Sequence, residues 1–334
     1  MLSPIIKYPN IKAKLYGMYA KRIKVNDFEE LLKQNNIKQV IEFLKGFNIE
    51  FSNSQNDTIK ITLDNILISD LQKIYRQLDK SDKKTFNQFI SIYEINCITN
   101  VFRKINSNNN SNFNTNEIHN WTNSIFKNLK QLENITEYNQ FFNFMKKTKY
   151  KSIFTEYEND IEKRNIFELE NKLEKFYFEK LMISAKSYNK ELQDMIGKQI
   201  DLNNIIWIYR IKKNYSFFSS EQLKSILINV LYKLKKSEIQ ALIQANSEKE
   251  IIEILEKTYY AKYIDFKDID ELEILKDRYL YSLYKKIFRE SVLNNCQMYA
   301  YIYMIEIENR NIMNIIEGIH YDLPKEEIRK KLVC

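Results

Sequence analysis

The sequence predicts an all-α fold, on three observations. The 334 residues include only 4 Gly and 3 Pro, the residues on which tight hairpins, Gly-rich loops and frequent turns depend. Apolar residues recur at spacings of three and four over long stretches, the period of one helix face. A ten-residue amphipathic box begins at 94, 201 and 308, a step of 107 residues each time, the signature of an internal helical repeat.

The three boxes read EINCITNVFR from Glu94 to Arg103, DLNNIIWIYR from Asp201 to Arg210, and ENRNIMNIIE from Glu308 to Glu317. They share an acid at the first position, isoleucine at the fifth (Ile98, Ile205, Ile312) and an aliphatic at the eighth (Val101, Ile208, Ile315). The fourth position holds Cys97, Asn204 and Asn311; the tenth holds Arg103, Arg210 and Glu317. A second box aligns without gaps at an offset of 211 residues: Phe28, Leu31, Leu32, Asn35, Val40, Ile41, Glu42, Phe43 and Leu44 against Ile239, Leu242, Ile243, Asn246, Ile251, Ile252, Glu253, Ile254 and Leu255. A weaker middle copy runs through Leu129, Leu132, Phe141, Phe142, Phe144 and Met145. Both boxes occur in the same order in each third, which divides the chain into helical repeats at 1–106, 107–213 and 214–334.

In chain order, Pro4 and Pro9 delay the first helix to about Ile11. Asp27, with Glu30 three positions on, is placed to cap a helix ending near Asn35. The next helix carries Val40, Ile41 and Leu44, with Gly46 as its stop, and 48–58 reads as a polar loop. Leu67, Leu71, Ile74 and Leu78 mark a helix from Leu63, 79–84 a polar corner, and Phe86 to Val101 the stripe that contains the first box. The Asn-rich run 106–116 reads as a linker. Repeat two opens at Trp121, Ile125 and Phe126, and its long helix spans 161–187, with Glu168 and Lys172 as an i,i+4 pair. Gly197 is expected to break the pattern, so that Asp201 starts a new helix and serves as its N-cap. Repeat three has short helices within 237–260, a long helix from Asp268 to about Glu290, an apolar helix at 298–316 and a terminal helix after Pro324.

Charge and motifs narrow the chemistry. The net charge of +8 admits a nucleic-acid or anionic-membrane partner, but Lys alternates with Glu along helix faces, which reads as solvated surface. Cys97, Cys296 and Cys334 are unpaired and far apart, as in a reducing compartment. No stretch approaches the roughly 18 apolar residues of a membrane helix, and MLSPIIKYPN lacks a signal-peptide cleavage pattern; a soluble, cytoplasmic protein is expected. His119 and His320 stand apart from any ligand pattern. No GxSxG, Walker A or GxGxxG motif is present, and no cofactor, metal or small-molecule substrate is expected.

The box acids are the remaining candidates. Taking Asp201 as zero on a helix that turns about 100° per residue, Asn204 falls near 300°, Ile205 near 40° and Arg210 near 180°. Acid and amide therefore share the apolar face, and the arginine lies opposite. A buried carboxylate needs hydrogen-bond partners. One reading makes Glu94, Asp201 and Glu308 general acid/base groups; the other, favoured by their threefold recurrence, makes them structural ties. The 23 Tyr and 20 Phe, with dense groups at Tyr259, Tyr260, Tyr263 and Tyr279, Tyr281, Tyr284, fit either core packing or an interface rim.

The openings YPNIKAKLYGMYAKRI and DFEELLKQNNIKQVIEFLKG, the middle segments LENKLEKFYFEKL, IDLNNIIWIYRIKK and SEIQALIQANSEKEIIEILEKTYY, and the C-terminal ENRNIMNIIEGIHYDLPKEEIRKKLV together resemble the d subunit of V-type (V/A-type) rotary ATPases, known as the C subunit in bacterial and archaeal enzymes. Cys97 and Glu317 depart from the pattern. The resemblance implies three similar helical domains around a pseudo-threefold axis, shaped as a funnel. It implies a non-catalytic rotor part of the central stalk, with the axle subunits of the soluble head at one end and the membrane proteolipid ring at the other, passing torque for proton or sodium transport. The competing reading is a basic all-helical RNA-binding or scaffold protein, with an enzyme third.

Overall fold

The computed structural model describes residues 9–51, 56–106, 115–158, 166–214, 218–291 and 294–333. Among them every regular element is a helix. In the first third these are α1 (Pro9–Ala20), α2 (Val25–Leu32), α3 (Ile37–Lys45), α4 (Asn56–Tyr75) and α5 (Lys80–Asn106). There follow α6 (Thr115–Ser124), a 3₁₀ segment (Lys127–Asn134), α7 (Tyr138–Met145), α8 (Lys151–Glu158), α9 (Ile166–Tyr188) and α10 (Lys190–Asn214). The last third has α11 (Ser220–Ile226), α12 (Lys236–Gln244), α13 (Glu248–Leu255), 3₁₀ turns at Tyr259–Lys262 and Phe266–Glu271, α14 (Leu272–Glu290), α15 (Cys296–His320) and α16 (Lys325–Lys330).

Local chemistry sets several of these ends. Pro9 occupies the first position of α1, where a missing N–H costs nothing. The Asn36 side chain accepts from Gln39 N–H to start α3, and Ser247 accepts from Glu250 N–H to start α13. Asp27 is not a cap: α2 begins two residues earlier, and Asp27 instead accepts the Lys24 N–H at 2.7 Å from the third helical position. Gly46 ends α3 in a right-handed conformation, and the left-handed residue is Asn48, at φ 59°. α4 starts at Asn56, inside the stretch expected to be loop, and part of that loop (52–55) lies outside the described residues, as does most of the Asn-rich linker. The Glu168–Lys172 pair forms at 3.1 Å.

The largest departure is at Gly197. α10 runs unbroken from Lys190 to Asn214, so Asp201 sits in the middle of a helix and caps nothing of its own. The glycine is there for space. A Cβ at Gly197 would lie 2.3–2.7 Å from ring carbons of Tyr232.

The contacts divide the chain into two compact units, one of residues 1–82 with 260–334 and one of residues 83–259. In the first, α15 is the central helix: it packs on α14 and also touches α1, α2, α3, α4 and α16. Its first ten residues, Cys296 to Ile305, are all buried, as a helix apolar all round must be. Ile312, Ile315 and Ile316 continue it into a cluster with Phe28, Leu31, Val40, Leu44, Ile59 and Ile328. In the second unit α10 plays the same part against α9 and α12. Aromatic rings fill gaps in both: Tyr284 stacks on Tyr303 at 4.3 Å, and Tyr93 on Trp121 at 4.6 Å. Of the tyrosines singled out in the sequence, Tyr260 and Tyr284 are core residues, while Tyr263 is half exposed.

Gly197→Ala is expected to destabilise the protein by about 1–3 kcal/mol through overpacking, despite alanine's higher helix propensity. Urea denaturation of Gly197→Ala and of the double variant with Tyr232→Ala checks this. The clash is real if the glycine substitution becomes harmless once the ring is gone.

Candidate functional site

The three box acids are buried, and each has found partners. Asp201 is fully buried in α10 and accepts three successive backbone N–H groups, from Tyr232 (2.9 Å), Lys233 (2.6 Å) and Leu234 (3.0 Å). It holds the turn that leads into α12. Three charge-assisted hydrogen bonds replace the water the carboxylate gave up. Glu308, in α15, accepts the backbone N–H of Ile23. Ile23 lies 211 residues before Leu234, the offset that aligns the short-helix boxes. The two acids therefore grip corresponding corners, each just before a corresponding short helix, α2 or α12. Glu94, in α5, is served differently: it accepts the Tyr150 hydroxyl at 3.2 Å and pairs with the Lys149 ammonium. Burial, with the Glu94 charge beside it, pushes the Tyr150 phenol well above its usual range.

The amides repeat more closely still. Asn204 accepts the Ile228 N–H at 2.9 Å and donates to the Ile228 carbonyl at 3.2 Å. Asn311 accepts the Val333 N–H at 3.0 Å and donates to the Val333 carbonyl at 2.8 Å. Each amide clasps both polar groups of one residue, as a strand neighbour would, and satisfies a buried peptide unit in each case. Cys97, at the same box position, is buried.

The remaining box positions fall as the helical wheel requires. Ile98, Ile205 and Ile312 are buried, while Arg103, Arg210 and Glu317 are exposed. Arg103 pairs with Glu170 at 2.5 Å.

Around Glu308 the chemistry is richer than around Asp201. The buried Arg22 guanidinium bonds Asp70 of α4, lies 3.6 Å from Glu308, and donates to the Tyr301 hydroxyl at 3.4 Å. Tyr301 in turn donates to Asp70 at 2.7 Å. Burial by itself lowers the Arg22 pKa, but Tyr301, Glu308 and Asp70 more than offset that and raise it. Burial pushes the Glu308 carboxyl up to about 7, against the pull of Arg22 and Lys24. Sequence reasoning missed this cluster. Its members come from several helices and a corner, and only the box position of Glu308 marked any of them.

The rest of the described residues assemble no catalytic chemistry. Among them no group of three His, Cys, Asp or Glu side chains is placed to hold a metal ion. A cavity of about 290 Å³ lies beside α10 and the start of α13. Two of its polar side chains are bonded to its own walls: Lys212 donates to the Ala245 carbonyl at 2.7 Å, and the Tyr209 hydroxyl to Glu248 at 3.1 Å. His119 lies 3.0 Å from Glu133 on an exposed face. The buried acids bond backbone or structural side chains, which is the pattern of ties rather than of general acids and bases.

Comparison with known proteins gives this scaffold its place. The pattern of the ATP synthase (C/AC39) subunit family matches residues 11–331. The chain belongs to that family. It is similar to the C subunit of the A-type ATP synthase of Methanocaldococcus jannaschii, 23% identical over 352 residues, which span 100% of this chain and 88% of the relative. It is also similar to the C subunit of the A-type ATP synthase of Methanosphaera stadtmanae, 22% identical over 344 residues, 98% of this chain and 87% of the relative. Membership of the C/AC39 family makes it a structural stalk subunit of a rotary V/A-type ATPase, not a catalytic one. No helix among the described residues is long and apolar enough to cross a membrane.

Asp201→Ala is expected to cost about 3 kcal/mol, because three N–H groups of one turn lose their acceptor. Asn311→Ala is expected to cost about 1–3 kcal/mol for the unpaired Val333 peptide. Chemical denaturation checks both. An unchanged midpoint for Asp201→Ala, with loss only of partner binding, would move that residue from the interior to an interface.

Proposed function

We propose that this chain is a rotor component of the central stalk, joining the axle subunits of the soluble head to the proteolipid ring of the membrane sector. Torque passes through it as ATP hydrolysis or ion flow, of protons or sodium, turns the ring. It works as a peripheral subunit on the cytoplasmic face of the plasma membrane. The observation that carries this reading is the clamp on α10 and α15: buried acids and amides stitch each central helix to backbone outside it. A part that transmits load needs such stiffness. Close packing resists compression, while satisfied polar ties resist sliding because each has one correct partner.

The repeats at 1–106, 107–213 and 214–334 are, on this proposal, three helical domains around a pseudo-threefold axis. The clamps support that arrangement. The acid of the second box holds the corner that opens the third repeat's short helices, and the acid of the third box holds the corner that opens the first repeat's. The boxes at Glu94, Ile98, Arg103, Asp201, Asn204, Ile205, Arg210, Glu308, Asn311 and Ile312 then act as structural units of the rotor body. Electrostatics at polar and basic faces would set register against the partners.

The test is a pull-down of the purified chain with axle subunits and, separately, with detergent-solubilised proteolipid ring, at moderate salt. Retention by both is expected. Retention by neither overturns the rotor role. Binding to RNA that falls steeply with salt would favour the nucleic-acid reading instead.

A further inference from the structure

We propose that Glu308 is a proton-responsive latch, closing the Arg22–Lys24 corner onto α15 when protonated and letting it loosen as the proton leaves. The basis is a charge count in a dry site. One guanidinium, Arg22, faces two buried carboxylates, Asp70 and Glu308. Asp70 has the better share: it takes the Arg22 hydrogen bond, the Tyr301 hydroxyl at 2.7 Å and the exposed ammonium of Lys73 at 3.0 Å. Glu308 is left with Arg22 at 3.6 Å and the Ile23 N–H, and its Oε1 has no hydrogen-bond partner. Two carboxylates sharing one cation in low dielectric cannot both be ionised cheaply, and the less solvated one keeps a proton.

The charged and titratable groups around this site come from several elements. α1 brings the Tyr19 hydroxyl, which feels both Glu308 and Arg289 of α14. The corner brings Arg22 and Lys24. Lys24 lies over the Tyr19 ring, bonds the Tyr19 carbonyl and is flanked by Asp27 and by Lys285 of α14. α4 brings Asp70 and Lys73, and α15 itself brings Tyr301. Burial lowers the Lys24 pKa, and the Lys24 charge adds to the pull of Arg22 on the Glu308 carboxyl. Burial raises the Glu308 carboxyl to about 7 from an ordinary 4.5, with Asp70 adding to the rise and Arg22, Lys24 and the Ile23 N–H opposing it.

The sign follows from linkage. A carboxyl raised in the closed state binds its proton more tightly closed than open. Closing is therefore favoured at acid pH, weakens as pH rises from about 4.5 toward 7, and levels off above 7. Opening is local, because the apolar cluster of Phe28, Leu31, Ile312 and Ile315 still holds α2 to α15.

Native-state hydrogen exchange of the full chain, resolved to the amides of Arg22 to Lys24 and corrected for intrinsic rates, tests the latch. The opening constant at Ile23 is expected to rise roughly 50-fold between pH 5 and pH 7.5 and then to plateau. Glu308→Gln should remove the rise. Asp70→Asn should free Arg22 for Glu308, ending the rise at lower pH and shrinking it. A flat wild-type profile, or the same rise in Glu308→Gln, overturns the proposal. Infrared titration of the wild type gives a reading that needs no variant: a protonated buried carboxyl band should disappear near pH 7. A band lost only near pH 4.5 overturns it as well. None of these outcomes depends on partner binding, so the latch and the rotor role stand or fall separately.

Discussion

Polar groups buried on the two central helices are the constraint on which the fold rests. α10 and α15 are too long and too enclosed to be amphipathic in the ordinary way, and each carries an acid and an asparagine on a face sealed from water. Leaving one such group unpaired costs on the order of 1–3 kcal/mol, a large part of a typical domain's stability. The structure meets that demand with backbone. Asp201 takes the turn at Tyr232–Leu234, Asn204 clasps Ile228, and Asn311 clasps Val333. These segments have no ladder or helix to satisfy their own peptides, so each tie resolves two problems at once.

An apolar isostere would pack at these positions without needing a partner. What it would lack is uniqueness. A helix dressed only in Ile, Leu and Tyr can slide by one turn against its neighbours and lose little, since the apolar stripe repeats. Asn204 cannot slide, because its two bonds go to the N–H and C=O of a single residue. The isoleucines one position on, Ile205 and Ile312, supply area; the amides supply register. That division suits a stalk subunit, where a loosely specified core would dissipate strain as repacking.

Much of the fold is legible in the sequence because it depends on local rules. Few glycines and prolines, period-3.6 stripes and ordered boxes point to long helices, and the wheel correctly sends Asp201 and Asn204 inward and Arg210 outward. The departures share a cause. A glycine shortly before an Asp suggests a helix end with a new cap beyond it; the reason for Gly197 is instead the Tyr232 ring, 35 residues away. Asp27 differs from expectation because a cap depends on a φ/ψ choice of one or two residues, which composition does not determine. The partners of the box acids are invisible for a similar reason. Those of Asp201 and one of those of Glu308 are backbone N–H groups, which nearly every residue carries, at positions chosen only by the tertiary fold. The 211-residue offset relates Ile23 to Leu234, but nothing local marks those two residues as the receivers.

The same repeat shows why equivalent positions need not behave alike. Asp201 and Glu308 begin corresponding boxes and grip corresponding corners. Asp201 receives three N–H donors from one continuous turn, close to the most a carboxylate can collect from backbone. Glu308 has one more methylene and a corner with Arg22 in it, and the arginine brings Asp70 and Tyr301 with it. Backbone hydrogen bonds are neutral donors that stabilise a charge without adding one; an arginine adds a charge that a second acid can claim. The first solution settles the acid. The second couples it to every titratable neighbour, and so turns one copy of a structural tie into a group that responds to protons. The difference arises from the corner, where Arg22 stands at the position that Lys233 fills in the other copy, and not from the box in which both acids lie.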